Sequence, residues 1–342
     1  VDSSVSSNDT SSEDTSSDLT SSDSDIIVPP QDTASSTDTS EILTETKTEV
    51  DADDKAYVRN PAPLSSPMTS KFDSQADAMR NKVLNASDAL PASVTGKIWY
   101  ISNDGSDRNS GNSKNDAWAT IDALNFYGNK INSGDAVLFE RGGVYRGTFN
   151  AKSGVYYGAY GTGDKPCIYG SSQNYAKVNW KKKFGNIWIC DTYIPDDVGT
   201  IIFNHGEMVG YKRDKKYEMK NNGDFWCDEN NGYTLYVYMD KNPAEAFKSI
   251  EIGIRKTIIN ISAGMKDITI DNLCLKYTGA HGIDAKHGSA NITIKNCEFG
   301  FIGGSYLKGY WREYTRYGNA VQFYQGCENI LVENNWIYQI YD

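Results

Sequence analysis

The sequence predicts an all-β chain carrying a parallel β-helix, with a small β insert and a disordered N-terminal tail. Three observations predict it. A strand motif recurs in fixed register, as Ile268-Thr269-Ile270-Asp271-Asn272, Ile292-Thr293-Ile294-Lys295-Asn296 and Ile330-Leu331-Val332-Glu333-Asn334. A second strand position keeps the same frame, since Ile259, Ile283 and Val321 each lie nine residues before Ile268, Ile292 and Ile330. Elsewhere, short alternating or β-branched runs are separated by Gly and Asn, with few long helical patterns.

The first fifty residues hold twelve acids and one base, Lys47, which accounts for the whole formal charge of −11. The remainder carries 33 acids and 33 bases. The acidity therefore describes a tail and not a substrate preference, and no basic excess indicates nucleic acid. Residues 1–94 form the tail, rich in Ser, Thr and Asp and nearly free of aromatics near the N-terminus. Such a segment buries too little apolar surface to offset its ordering entropy, so it is expected to be disordered. It reads equally as a tether of a secreted or surface enzyme and as a solubilising spacer. The chain begins at Val1 without a charged n-region or apolar h-region, and no run approaches membrane-spanning length.

Order is expected from residue 95. Residues 95–185 read as a cap and the first coils. They comprise a strand at Lys97–Ile101, a turn-rich loop from Ser102 to Asp116, a short helix from Ala117 to Leu124, and strands around 133–139, 142–149 and 154–158. Residues 186–250 lose the coil period. The aromatic runs Ile187-Trp188-Ile189, Phe225-Trp226-Cys227 and Tyr233–Tyr238 indicate an inserted small β subdomain with hairpin-like connections at 212–216 and 220–223. Residues 251–342 hold the coils, with the set expected to be cut off after Asp342. The offset between the first two motifs is 24, and between the second and third 38, which places a 14-residue insertion within Gly304–Tyr317.

In each motif Ile or Val alternates with polar residues, so one face points inward, and coils stacked about 4.8 Å apart would share a core. Asn272, Asn296 and Asn334 fall in one column at a bend. Asn tolerates left-handed backbone, and stacked Asn side chains can bond from coil to coil. The six cysteines show no zinc spacing and sit mainly in apolar runs, so buried free thiols are expected, although their even number also permits disulfides.

At these residues the chain resembles secreted right-handed parallel β-helix enzymes acting on polysaccharides. The resemblance rests on Tyr100–Asp107 with Ala117–Ile121 and Gly134–Phe139, on Gly158–Pro166, and on the coils from 257 onward. It implies the right-handed solenoid and a polysaccharide partner, with hydrolysis favoured by the insert over elimination. It also implies location outside the cell or at its surface; a monomer is expected, with no nucleic acid partner from the charge balance and no membrane partner from the short apolar runs.

The frame places Asn260, Asp284 and Gln322 in one outward column, with His281 and Asn319 at the start of the same strands. Such a column either contacts successive sugars or is an ordinary solvated strand face. The insertion beside it carries Tyr306, Tyr310, Trp311, Tyr314 and Tyr317, and its Lys308, Arg312 and Arg316 outnumber Glu313. Aromatic rings suit sugar faces, and a cationic loop suits a uronic acid. Alternatively, the rings merely pack the loop onto the coils.

Hydrolysis needs two carboxyl groups about 5–5.5 Å apart for retention, or roughly 6.5–9.5 Å for inversion. Asp284 and Asp342 are the best-placed carboxylates, and Glu313 is a third. Two coils plus a lateral offset put Asp284 and Asp342 more than about 10 Å apart on strand spacing, so Glu313 or a carboxylate beyond Asp342 would be needed to complete the pair. His281, Asn319, Gln322, Tyr306, Trp311, Arg312 and Lys308 are the candidate substrate-binding residues. A polysaccharide lyase on uronic-acid glycans is the alternative enzyme, with His281, Lys286, Lys308 and Arg312 available and calcium at Asp104, Asp107 and Asp116. A non-catalytic glycan-binding surface protein is the alternative class. No metal or cofactor is otherwise expected.

Overall fold

The computed structural model describes residues 70–308 and 315–342. The chain is mostly β, and three parallel sheets organise it. The first sheet contains Ile98–Ile101, Ala136–Glu140, Tyr156–Tyr160, Lys266–Asp271, Ala290–Lys295 and Glu328–Glu333, stacked in that order. The second stacks Val144–Arg146, Cys167–Tyr169, Cys274–Thr278, Glu298–Ile302 and Trp336–Ile340. The third stacks Phe149–Ala151, Ile259–Ile261, Ile283–Ala285 and Val321–Phe323. From Phe149 onward the chain visits the third, first and second sheets in rotation, four times over.

The register follows the sequence frame. Ile268 pairs with Ile292 and Ile292 with Ile330. Ile259 pairs with Ile283, and Ile283 with Val321. These inward columns meet in one core with Trp99, Phe139, Phe149, Leu275 and Phe299. Alternation makes this register hard to lose, because a one-residue slip would turn every Ile outward.

The bends recur as the strands do. Asn272, Asn296 and Asn334 all take left-handed backbone, with φ of 64°, 53° and 51°. Their side chains do not form the coil-to-coil ladder that the sequence suggests. Asn272 Nδ2 donates to Ala86 O at 2.9 Å, and Asn296 Nδ2 to Asp271 Oδ1 at 2.8 Å. The side-chain ladder forms instead at the head of the first sheet. There Asn291 Nδ2 donates to Asp267 Oδ1 at 2.7 Å, and Asn329 Nδ2 to Asn291 Oδ1 at 3.0 Å. These three residues also have positive φ, so left-handed backbone brings their short polar side chains into line. A further left-handed column, Tyr277, Phe301 and Gln339, bends the strands of the second sheet.

Order begins earlier than residue 95. Ser70–Leu84 is an α-helix, although most of it is exposed. The following segment is pinned to the coils by charge. Arg141 holds Asp88 through Nε at 2.5 Å and Nη2 at 2.8 Å, and Asn272 also donates to Asp88. Composition missed this because the anchoring partners are remote in sequence. The remainder of the expected tail lies outside the described residues.

The insert is larger than 186–250. Its five-stranded sheet starts at Trp180–Phe184, a lysine-rich strand that pairs antiparallel with Ile187–Cys190. Its three-stranded sheet ends at Ile250–Ile254. Exposed lysines disguise the first strand as a loop. The insert has its own core around Phe203, Phe225, Val237 and Ile252, and Ile202 packs on Tyr169, Tyr277 and Phe301 of the second sheet. Arg146 clamps the buried Glu251 with two bonds of 2.8 and 2.9 Å. The expected cap helix is present as Ile121–Phe126, with the Thr120 side chain accepting from Ala123 N. All six cysteines are free and five are buried.

Candidate functional site

The outward column of the third sheet is the start of the site. Asn260 pairs with Asp284, and Asp284 with Gln322. Asn150 extends the column by one coil, because it pairs with Asn260. Sequence reasoning passed over Asn150, since its coil precedes the insert and breaks the 24-residue offset. Four polar side chains thus stand in line over three strand spacings, roughly 14 Å. At the cap end, Asn150 and Lys152 line a cleft of about 280 Å³ with Asn125 and Asn129.

Both insertions leave the coil at the same corner, between the second and third sheets. The insert lies between Cys167–Tyr169 and Ile259–Ile261, and the 14-residue insertion between Glu298–Ile302 and Val321–Phe323. Main chains meet closely there. A side chain on Gly199 would lie 2.5 Å from Ser305 N, and one on Gly318 would lie 2.2 Å from Gly303 Cα. Glycine is required at Gly318 on both counts, as its φ is +142°.

Within the insertion, Ser305–Tyr306 and Arg316–Tyr317 pair as a short antiparallel hairpin. Charge docks this hairpin on the insert. Lys212 Nζ meets Asp197 at 2.6 and 2.7 Å, with both side chains buried. Asp197 Oδ2 also accepts Tyr306 N at 2.7 Å. Asp214 Oδ1 accepts Tyr306 Oη–H at 2.6 Å and Arg316 Nη2–H at 2.8 Å. Arg255 donates to Tyr306 O at 2.8 Å.

The hairpin delivers Tyr317 to the column. Its ring lies edge-on to His281, with centroids 5.1 Å apart, and burial pushes its phenol up to about 12. His281 is buried, and its Nδ1 accepts the backbone N–H of Asn319 at 3.0 Å. Burial holds the imidazole below its usual pKa, opposed by the charge of Asp284, with Lys286 lowering it further and Asp342 opposing. Asn319 Nδ2 in turn donates to Gln322 Oε1.

Asp284 is 4 % exposed. Its Oδ2 accepts Lys286 Nζ–H at 2.7 Å, whereas Oδ1 accepts no hydrogen bond among the described residues. An unsatisfied buried acceptor costs about 1–3 kcal/mol, so it marks a position that the fold tolerates at a cost. Burial disfavours charge on Lys286, but the hydrogen bond and charge of Asp284 outweigh it and raise the lysine pKa. Lys286 also lies 4.3 Å over the ring of Tyr324, which packs 5.3 Å from His287.

The structure therefore brings together Asp284, His281, Asn319 and Gln322, with the Asp342 carboxylate acting on the same imidazole. Lys286 and Tyr317 join them, and Tyr324 is a further neighbour that the sequence did not single out. Tyr306 is turned to the insert, its hydroxyl on Asp214 and its ring 3.7 Å from Lys212 Nζ. Lys308 is exposed. Trp311, Arg312 and Glu313, with Tyr310 and Tyr314, lie outside the described residues.

Two carboxylates of the cap loop have structural partners. Asp107 accepts Ala119 N, Thr120 N and Thr120 Oγ1, and Asp116 accepts Ser110 N, so both carboxylates close the cap loop. Among the described residues no three His, Cys, Asp or Glu side chains cluster to hold a metal ion. A cavity of about 520 Å³ opens at a different corner, between the first and second sheets. It is larger; Arg141 there pairs with Asp88 and Lys276 with Glu298 at 2.6 Å, whereas Lys165 donates to Asn272 and burial lowers its pKa to about 8. No described helix is long and apolar enough to cross a membrane.

No family model matches the sequence, and no curated protein matches it. Similar solved structures are carbohydrate-active proteins. XylC in complex with xylose is 16% identical over 60% of this chain and 40% of its own, with a TM-score of 0.47. The GH136 lacto-N-biosidase of Eubacterium ramulus is 17% identical over 79% of this chain and 37% of its own, with a TM-score of 0.39. A rhamnogalacturonan lyase is 12% identical over 70% of this chain and 57% of its own, with a TM-score of 0.33. The chain thus spans about two-fifths of the length of the first two, and likeness of this degree assigns no activity.

Proposed function

We propose that the three parallel sheets form a right-handed parallel β-helix, and that the outward face of the third sheet is the substrate groove of a secreted glycoside hydrolase. The handedness follows from the strong preference of parallel crossover connections in one sheet. The observation that carries the function is Asp284, a buried carboxylate with Oδ2 on Lys286 and Oδ1 unpartnered, in line with Asn150, Asn260 and Gln322. A line of amide and carboxylate groups repeating every strand spacing suits successive sugar hydroxyls. Tyr317 and Tyr324 supply amphipathic rings beside it. In this reading Asp284 is one catalytic carboxylate, with Asp342 or Glu313 the described and undescribed candidates for its partner. The chemistry needs no cofactor.

Hydrolysis is favoured over elimination by the state of one of the four candidate bases. A lyase needs a proton acceptor, yet Lys286 is held protonated by Asp284. Product analysis of the whole protein on a panel of plant and microbial polysaccharides tests the reading. Hydrolysis gives one new reducing end per cut and no unsaturated sugar. An ultraviolet-absorbing unsaturated product would overturn it in favour of a lyase, and glycan binding without any turnover would favour a binding protein.

A further inference from the structure

We infer that His281 is locked as the neutral tautomer bearing its proton on Nε2, and serves as a fixed hydrogen-bond donor to a hydroxyl of an uncharged sugar, not as an acid or base. The tautomer follows from one bond. The Asn319 amide donates to Nδ1 at 3.0 Å, and an amide cannot surrender that hydrogen. Nδ1 is therefore unprotonated, and a neutral imidazole must carry its one proton on Nε2.

The fold holds this donor in place. Gly282 N bonds Asn319 O at 3.0 Å and Ile283 N bonds Ala320 O at 3.0 Å, so the coil register fixes the amide opposite the ring. Protonating Nδ1 would set two hydrogens against each other and break the bond. Four titratable groups act on or touch the imidazole. Asp284 and Lys286 come from its own coil, Asp342 from the end of the next, and Tyr317 from the hairpin. Burial outweighs the two carboxylates and keeps the ring neutral below its usual range.

A donor whose lone pair is already used cannot take a proton from a substrate. Nε2 makes no hydrogen bond among the described residues and is not sealed from solvent there. Asp284, whose charge acts on this ring, keeps its own Oδ1 closed off from solvent. A hydroxyl oxygen can accept from the open Nε2–H. A uronate would instead meet Asp284 and Asp342, with Lys286 already spent on Asp284 and Arg316 on Asp214. The sugar half of the inference rests on the function proposed above, whereas the tautomer half does not.

The test is ¹⁵N-detected histidine spectroscopy of the intact protein between pH 7 and pH 4.5, with His281→Gln to assign the resonance and His205 and His287 variants as a second route. The expected result is an Nε2–H tautomer that shows no midpoint near 6.5. A proton on Nδ1, or a midpoint at 6.5 or above, would overturn the inference. A second arm measures binding of neutral oligosaccharides against oligogalacturonates. His281→Phe should weaken neutral-sugar binding by about tenfold, with His281→Gln retaining most of it through its own N–H. Preference for oligogalacturonates would overturn the uncharged-sugar assignment and leave the groove standing. Binding of neither would remove the groove as well, with the tautomer still decided by the spectra.

Discussion

Lys286 Nζ sits 2.7 Å from Asp284 Oδ2 and leaves Oδ1 of the same carboxylate buried with no partner among the described residues. One side chain is thus half satisfied in the folded state.

Replacing Asp284 with Asn keeps its shape and removes its charge. We expect Asp284→Asn to stay folded with a loss of no more than about 1 kcal/mol, because its ion-pair partner Lys286 is partly exposed and Oδ1 has no hydrogen bond to lose. Thermal unfolding followed by circular dichroism checks this. A fall of more than about 2 kcal/mol would mean that the carboxylate is structural.

The Lys212–Asp197 pair is the opposite case. Both side chains are buried, and Asp197 also holds the Tyr306 amide. Removing one partner leaves an uncompensated buried charge, so Lys212→Met should cost about 3–5 kcal/mol. The double variant Lys212→Met with Asp197→Leu should recover part of this. Denaturant unfolding measures both, and additive losses would contradict the coupling.

Acid sensitivity should trace partly to Asp224. Burial favours its neutral form, but hydrogen bonds from Lys220 N, Asn221 N and Arg213 outweigh burial and lower its pKa. The folded pKa therefore lies below the unfolded value of about 3.9. Its contribution is complete above that value and is lost as pH falls through the folded pKa. Asp224→Asn should be less stable than the wild type at pH 7, and the gap should narrow towards pH 2. A constant gap across that range would contradict the assignment.

Thiol labelling should separate the cysteines. Burial pushes Cys190, Cys227 and Cys297 up to about 12, and only Cys327 among the six is partly exposed. One equivalent of a thiol reagent should react rapidly in the native protein and six in denaturant. Fewer than six in denaturant without reductant would reveal a disulfide.

The Ile columns were legible because a period of 24 residues with a frame-keeping second strand leaves one register that buries every Ile. The outward column came with it, and so did Asp284 and Gln322. The helix Ser70–Leu84 was not legible, because it is held through Asp88 by Arg141 and Asn272, contacts that composition does not encode. Lys212 reads as a solvated loop residue, yet it is buried through a partner 15 positions away. Tyr306 and Tyr317 are alike in sequence, but the hairpin turns Tyr306 to Asp214 and only Tyr317 to His281. The Asn column at the bends showed its left-handed backbone in advance, while its hydrogen bonds depend on Asp271 and Ala86.

The most direct test of the groove is the rate of reducing-end release by the whole protein with Asp284 intact and with Asp284→Asn, on whichever polysaccharide the wild type cleaves. The account predicts a fall of roughly 10²–10⁴-fold with unfolding behaviour retained. A variant that is fully folded and cleaves at the wild-type rate would contradict it.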